Sequence, residues 1–419
     1  MSATINQRPA SNAFNDSSIR PELVQKVEGQ AARVLGVRIL HREEGFVTIN
    51  EDKTLRIILK RDNGQYWPTA IEYFQNVPTS LYLHEESSTI YVGLVTGVLL
   101  RCGISEDMNK LEVSQRRQLH THAISAIVYS PGNQEVYSCS RDKALVWSSA
   151  ETGLKIAFNI IMIQGNYTID SPCTTMQFDP STNFAFVGDY AGSIYVLRVA
   201  GSTAQLISKL SAHSSAISDL AWDSNRQLLF SGSTDTLVIL WDIGAKQGQC
   251  YELTGHDTRI SCLALATSHS KLFSADANGK VVCWDLKKKR IMAPAWKEAD
   301  RCQLCDTPFL FFSNIRTMWN RQKLGSSRHH CRTCGQSVCA QCSNHTTTFP
   351  VMGFEKATRI CETCYQKMQK YPDQFDLTPL ATQCDLRHGI TNMELDEKTA
   401  RLATIGDRSI NVFNVKSML

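Results

Sequence analysis

A short apolar, β-branched run that follows an Asp- or Gly-containing turn recurs through this 419-residue chain at a nearly fixed interval. No other feature constrains its fold as strongly. The clearest copy is Ser231-Gly232-Ser233-Thr234-Asp235-Thr236-Leu237-Val238-Ile239-Leu240-Trp241-Asp242, with neighbours ending in Trp147 and in Trp284-Asp285. Weaker copies centre on Ile58, Cys102, Leu197 and Phe413, so the equivalent positions are separated by 44, 45, 50, 44, 43 and finally 129 residues. A period of about 43 residues of strand-like sequence accommodates four short strands. A four-stranded unit cannot bury both of its faces alone, so such units must stack on one another. The final interval exceeds one period by 86 residues, which places a second domain inside the array.

These repeats resemble the WD40 family, although three of the seven copies keep the tryptophan and two keep Trp-Asp. The resemblance implies an all-β chain, a seven-bladed β-propeller. Four residues follow Val415, too few for the outer strand of the last blade, so Glu22 to Glu28 is the expected donor and would close the ring. Trp241 precedes His256 by 15 residues, whereas Trp284 precedes His388 by 104. The insertion is therefore expected after the third strand of blade six, with Gln383 to Leu386 resuming as its outer strand. The expected boundaries are a disordered N-terminal tail at 1–21, the closing strand with blades 1–6 at 22–290, the inserted finger at 291–372, and the outer strand of blade six with blade seven at 373–419. His122, His213 and His256 stand upstream of Asp142, Asp235 and their equivalents. Together with Asp407 they are read as hydrogen-bonding groups that fix each blade.

Eight of the 15 cysteines form four C-x-x-C pairs: Cys302/Cys305, Cys331/Cys334, Cys339/Cys342 and Cys361/Cys364. Eight soft thiolates provide two tetrahedral S4 sites that suit Zn²⁺ and leave no open coordination position, so the metal is structural. Four residues separate the second pair from the third, too few for one ion to take both without strain. The expected pattern is crossed, with Cys302, Cys305, Cys339 and Cys342 on one ion and Cys331, Cys334, Cys361 and Cys364 on the other. An insert this short has little core of its own, and zinc supplies the missing folding free energy. The other seven cysteines stand singly in apolar contexts, as buried thiols in a reducing compartment do.

Within the insert, Arg328-His329-His330-Cys331-Arg332 and Arg359-Ile360-Cys361 make it similar to the FYVE zinc finger. That resemblance implies a pocket for phosphatidylinositol 3-phosphate lined by Arg328, His329, His330, Arg332 and Arg359. The chain has Ser327 where the family usually places an arginine, which leaves one contact missing or supplied by Lys323. The family's Trp-x-x-Asp element is irregular at Trp296, so either Glu298 or Asp300 contacts the inositol hydroxyls, with Asp300 favoured. Leu324 occupies the place of the membrane-inserting loop. One buried leucine contributes about 1.5–3 kcal/mol, too little for stable anchoring, so a homodimer or a propeller-bound partner is expected to add the rest.

Residues 295–370 carry 11 Lys/Arg against 5 Asp/Glu, while the whole chain carries a formal +4. That balance steers the finger weakly toward an anionic bilayer and gives no reason to expect a nucleic-acid partner. No apolar stretch approaches the ~20 residues of a membrane-spanning helix. The combination of a WD40 ring with an inserted FYVE finger resembles the WD repeat and FYVE domain-containing family. It implies a non-enzymatic cytoplasmic adaptor, peripheral on early endosomes, whose propeller docks protein partners. The alternative is a RING-like ubiquitin ligase whose propeller selects substrates.

Overall fold

The structure, a computed structural model, describes residues 21–28, 31–41, 44–150, 163–244, 249–309 and 326–419. Residues 1–20, which carry nearly all of the expected tail, lie outside the described residues. Among the described residues no helix is long and apolar enough to cross a membrane.

Seven four-stranded antiparallel sheets follow one another along the chain. Their innermost strands are Val34–Leu40, Pro78–His84, Ile124–Ser130, Cys173–Asp179, Ile217–Asp223, Ile260–Ala266 and Asn392–Asp396, and each touches the next until the seventh meets the first. The seven repeat positions fall on the third strand of each blade. Ile58, Cys102, Trp147, Leu197, Trp241, Trp284 and Phe413 are all buried there, so the period in the sequence is the period of the blades. The ring closes where the chain begins: Glu22–Val27 pairs with Ile410–Asn414 as the outer strand of blade seven. Blade six is discontinuous in sequence. Its third strand is Lys280–Asp285 and its fourth, Ala381–Asp385, arrives after the insertion.

In six of the seven blades the turn between second and third strands contains one left-handed residue. Gly97, Gly192 and Gly279 occupy it at φ of 82°, 88° and 102°, and Lys53, Lys143 and Thr236 adopt the same conformation at 66°, 70° and 75°. For β-branched Thr236 this is a strained position.

Blades five and six each carry a buried polar relay. Trp241 Nε1–H donates to Ser231 Oγ (2.8 Å), which lies 2.8 Å from His213 Nε2, while His213 Nδ1 sits 2.9 Å from Asp235. Trp284, Ser274, His256 and Asp276 repeat it at 2.8, 2.7 and 3.1 Å. Each linking atom of these two relays is thereby paired, as a low-dielectric interior requires.

Two expectations are corrected here. In blade three the histidine is His120, which contacts Ser138 Oγ at 2.9 Å and Asp142 at 3.1 Å. His122 is exposed beside Thr121, because it falls past the point where the chain turns into the innermost strand. Asp407 joins no relay: it is exposed and lies 3.8 Å from Arg33. In its blade His388 Nε2 pairs instead with Thr404 Oγ1 at 3.1 Å.

The inserted segment, most of it within Lys288–Thr382, forms a compact unit of its own. Its core is small, built from Phe309, Val338, Phe349, Phe354 and Ile360 around the cysteines.

Candidate functional site

The finger is assembled from very short elements: Arg328–His330 pairs with Ser337–Cys339, His345–Phe349 with Phe354–Ile360, and a helix spans Glu362–Lys370. Three-residue strands contribute little by themselves, so the turns around the cysteines carry the geometry. After Cys305 and Cys334 the chain turns through Asp306 (φ 57°) and Gly335 (φ 75°). Those amides bond back to the Cys302 and Cys331 carbonyls at 2.9 and 2.8 Å. At Gly335 a Cβ would stand 2.3 Å from the Ala295 carbonyl oxygen, so only glycine fits. Backbone N–H groups then donate to sulfur, Cys339 to Cys302 Sγ (3.3 Å) and Cys361 to Cys331 Sγ (3.2 Å).

This folding brings the thiols into two groups. Cys302, Cys305, Cys339 and Cys342 form one and Cys331, Cys334, Cys361 and Cys364 the other, with the sulfurs of each group within 4.8 Å of one another. The first pair is thus joined to the third and the second to the fourth. Four thiolates at that separation repel unless a cation lies among them, and a set of four sulfurs without carboxylate or imidazole fits Zn²⁺. The finger is a two-zinc domain, and these eight sulfurs are the groups that would hold the ions. His345, the spare histidine nearby, is in neither group. It pairs with Glu362 at 3.0 Å and stacks on Tyr365 with ring centroids 3.7 Å apart.

The basic residues are fixed by the same framework. Arg328 lies opposite Cys339, His330 opposite Ser337, and Arg332 N–H donates to the Arg359 carbonyl at 3.1 Å. The two basic segments therefore meet beside the Cys331 and Cys361 thiols. Pleating separates Arg328 and His330 from His329. On the first face Trp296 is a platform: the His330 ring stacks on it (4.6 Å, 12°) and the Arg332 guanidinium lies 4.4 Å from its ring. Arg328 is ion-paired with Glu298. His330 is held by Ser337 Oγ (3.1 Å), which itself donates to the Lys297 carbonyl (2.6 Å). His329 Nε2 lies 2.9 Å from Ser327 Oγ. Burial, then the nearby Arg359 charge and His330, hold the His329 imidazole below its ordinary pKa. Arg359 Nη1 donates to the Ser343 carbonyl at 2.8 Å, which fixes its guanidinium.

Of the two acids weighed from sequence, the carboxylate at the basic strand is Glu298. Asp300 is exposed, and its backbone carbonyl accepts the Phe309 amide at 3.0 Å. Lys323 and Leu324 lie outside the described residues. Sequence reasoning missed the platform role of Trp296 and the positioning roles of Ser337 and Ser343. The serines carry no pattern of their own, since each acts through strand register. Trp296 carried a signal in its place just ahead of the first cysteine pair.

Comparison with known proteins places this site. A FYVE zinc finger model matches residues 293–370. A WD domain, G-beta repeat model matches residues 113–147, 204–242 and 247–285, the three repeats that end at or just after Trp147, Trp241 and Trp284. The Caenorhabditis elegans WD repeat and FYVE domain-containing protein 2 is 40% identical over 419 residues, covering 100% of this chain and 98% of that protein. The Homo sapiens WD repeat and FYVE domain-containing protein 1 is 40% identical over 416 residues (99% and 96%), and the Homo sapiens protein 2 is 37% identical over 397 residues (94% and 96%).

Proposed function

The chain belongs to the family of WD repeat and FYVE domain-containing proteins, and from that premise we propose that it is an adaptor of early endosomes. In this reading the finger binds phosphatidylinositol 3-phosphate and the propeller docks protein partners. The observation that carries it is the meeting of Arg328, Arg332 and Arg359 on one backbone framework, next to an aromatic platform and a carboxylate.

Each group has a role in such a site. Arginine forks donate parallel charge-assisted hydrogen bonds to phosphate oxygens. Arg332 is preoriented by Trp296, which lowers the entropy lost on binding. The Arg328–Glu298 pair would open as phosphate engages the arginine, leaving Glu298 to accept from the inositol hydroxyls. Arg359 and His329 stand across the pleat and would contact a second oxygen of the head group. When bound, zinc supplies the fixed geometry that holds these side chains and takes no part in the recognition itself. Both domain types are scaffold or adaptor modules. Four cysteines complete each metal group, so the all-thiol set gives the ligase reading no support of its own.

Vesicle flotation tests the proposal. Full-length protein should float with vesicles containing the 3-phosphate and remain in solution with the 4- or 5-phosphate isomer at equal charge. Equal binding to all three would overturn the head-group reading. In cells the protein should leave early endosomes when phosphatidylinositol 3-kinase activity is inhibited.

A further inference from the structure

At the end of the ring where second and third strands turn, a cavity of about 570 Å³ opens among blades two to five. That volume lies within the range of about 300–1,000 Å³ typical of ligand sites. Its lining is mostly apolar and includes Ala123, Ile124, Pro172, Cys173, Ala216 and Ile217. The reason lies in a recurring irregularity. Near the start of the innermost strand in each of these blades the register shifts by one residue, setting Thr79, Ser125, Thr174 and Ser218 outside the ladder. Three of those hydroxyls are spent on backbone carbonyls: Thr79 on Ile124 (2.7 Å), Ser125 on Cys173 (2.7 Å) and Thr174 on Gly188 (3.1 Å). The fourth, Ser218 Oγ, is buried without a hydrogen-bond partner.

The rim has the opposite character. Arg141 and Tyr190 stand on adjacent blade turns, both exposed, Tyr190 at 69%. Neither side chain makes a hydrogen bond or ion pair to another described residue. Asp142, beside Arg141, is already committed to His120 and to the Thr121 and Ala144 amides. The channel deeper in the ring is unlike this mouth, because there Arg38 is paired with Glu394 at 3.3 Å. The mouth thus combines an apolar lining with unspent donors from the exposed Arg141 and Tyr190, and contributes no unspent carboxylate.

We infer that this mouth docks a partner peptide that inserts a bulky apolar side chain and presents an Asp or Glu carboxylate to Arg141. The inference rests on the reading of the propeller as a docking scaffold and specifies where and what it docks. An apolar residue packs against the apolar lining, the guanidinium takes the carboxylate in a bidentate pair, and Tyr190 covers the peptide as aromatic rim residues do at binding hot spots.

The test is selection of peptides from a displayed random library on the intact protein. Enriched sequences should carry a large apolar residue close to an Asp or Glu. Their affinity should fall at least about tenfold on Arg141→Gln and on Tyr190→Ala, with zinc content and melting temperature unchanged. On Arg141→Glu the preference should invert, so that the same peptide with Lys in place of its acid regains binding. Binders that keep their affinity within about twofold in both variants, or that lack an acidic residue, would overturn the pocket while leaving propeller docking intact. Failure to enrich any peptide would overturn both.

Discussion

The propeller and the finger solve one problem by different means. In the propeller every blade buries an apolar residue at the same point of its third strand, and seven such units stack until the first meets the last. Stability is spread over many equivalent contacts, and polar relays such as Trp241–Ser231–His213–Asp235 are accessory to it. Among its described residues the finger has strands of three to seven residues, one α-helix of nine residues and a core cluster of five apolar side chains besides its cysteines. There the thiol groups replace a core, and the same segments carry the basic side chains. Redundancy makes the propeller a durable frame, whereas the finger couples its fold directly to the basic face proposed to read the head group.

If this contrast is right, the largest effect comes from one sulfur. Cys331→Ser should lower zinc from two per chain and unfold the finger, since structural zinc contributes an apparent ~10–16 kcal/mol to such domains. The propeller's thermal transition should persist. A chain that still holds two zinc ions would break the comparison at its base.

The converse change is Trp284→Ala. Its side chain is fully buried, and truncating a buried tryptophan costs about 3–5 kcal/mol. The propeller's melting midpoint should drop while zinc remains at two per chain, as read by calorimetry and metal analysis. Loss of zinc on this change would mean that the two regions do not fold independently.

A smaller, pH-dependent effect belongs to His120. Burial holds its imidazole below the ordinary histidine pKa, against the opposing pull of Asp142. The unfolded chain therefore takes up a proton near pH ~6.5 that the folded chain resists, and stability present above that pH is lost as pH falls toward the folded value. Asp142 adds a second loss in stronger acid. Burial pushes its carboxyl up, but the Thr121 and Ala144 amides and His120 outweigh this and hold it below its ordinary value. His120→Gln should cost about 1–3 kcal/mol at neutral pH through lost buried hydrogen bonds, and should flatten the first acid step in chemical denaturation. An unchanged slope between pH 7 and 5.5 would remove His120 from the account.

The smallest expected change is a gain. Thr236 adopts φ 75° where Gly97, Gly192 and Gly279 stand in other blades, so Thr236→Gly should stabilise the propeller by roughly 0.5–1 kcal/mol. Destabilisation would show that the Thr236 side chain compensates for its backbone.

Periodicity explains why the propeller was legible in the sequence. A repeat fixes the number of blades, its interruption locates the insertion, and a missing last strand requires the chain's start to supply one. What remained hidden depends on register. His120 and His122 both precede Asp142, by 22 and 20 residues, and both spacings recur, in His213–Asp235 and His256–Asp276. Only the path into the innermost strand decides which ring reaches Ser138. The finger's thiol grouping was legible because four C-x-x-C pairs with one short gap admit few arrangements. The approach of Glu298, rather than Asp300, to Arg328 was not, since it depends on how an irregular segment crosses a short strand.

The most direct test of this account measures lipid binding and metal content on the same sample. Arg332→Ala should retain two zinc ions per chain and an unchanged propeller transition. Its binding to vesicles containing phosphatidylinositol 3-phosphate should weaken about ten- to a hundredfold, the loss expected for charge-assisted hydrogen bonds. Undiminished binding by Arg332→Ala at full zinc content would contradict the claim that the finger's fold exists to hold a phosphate-reading face.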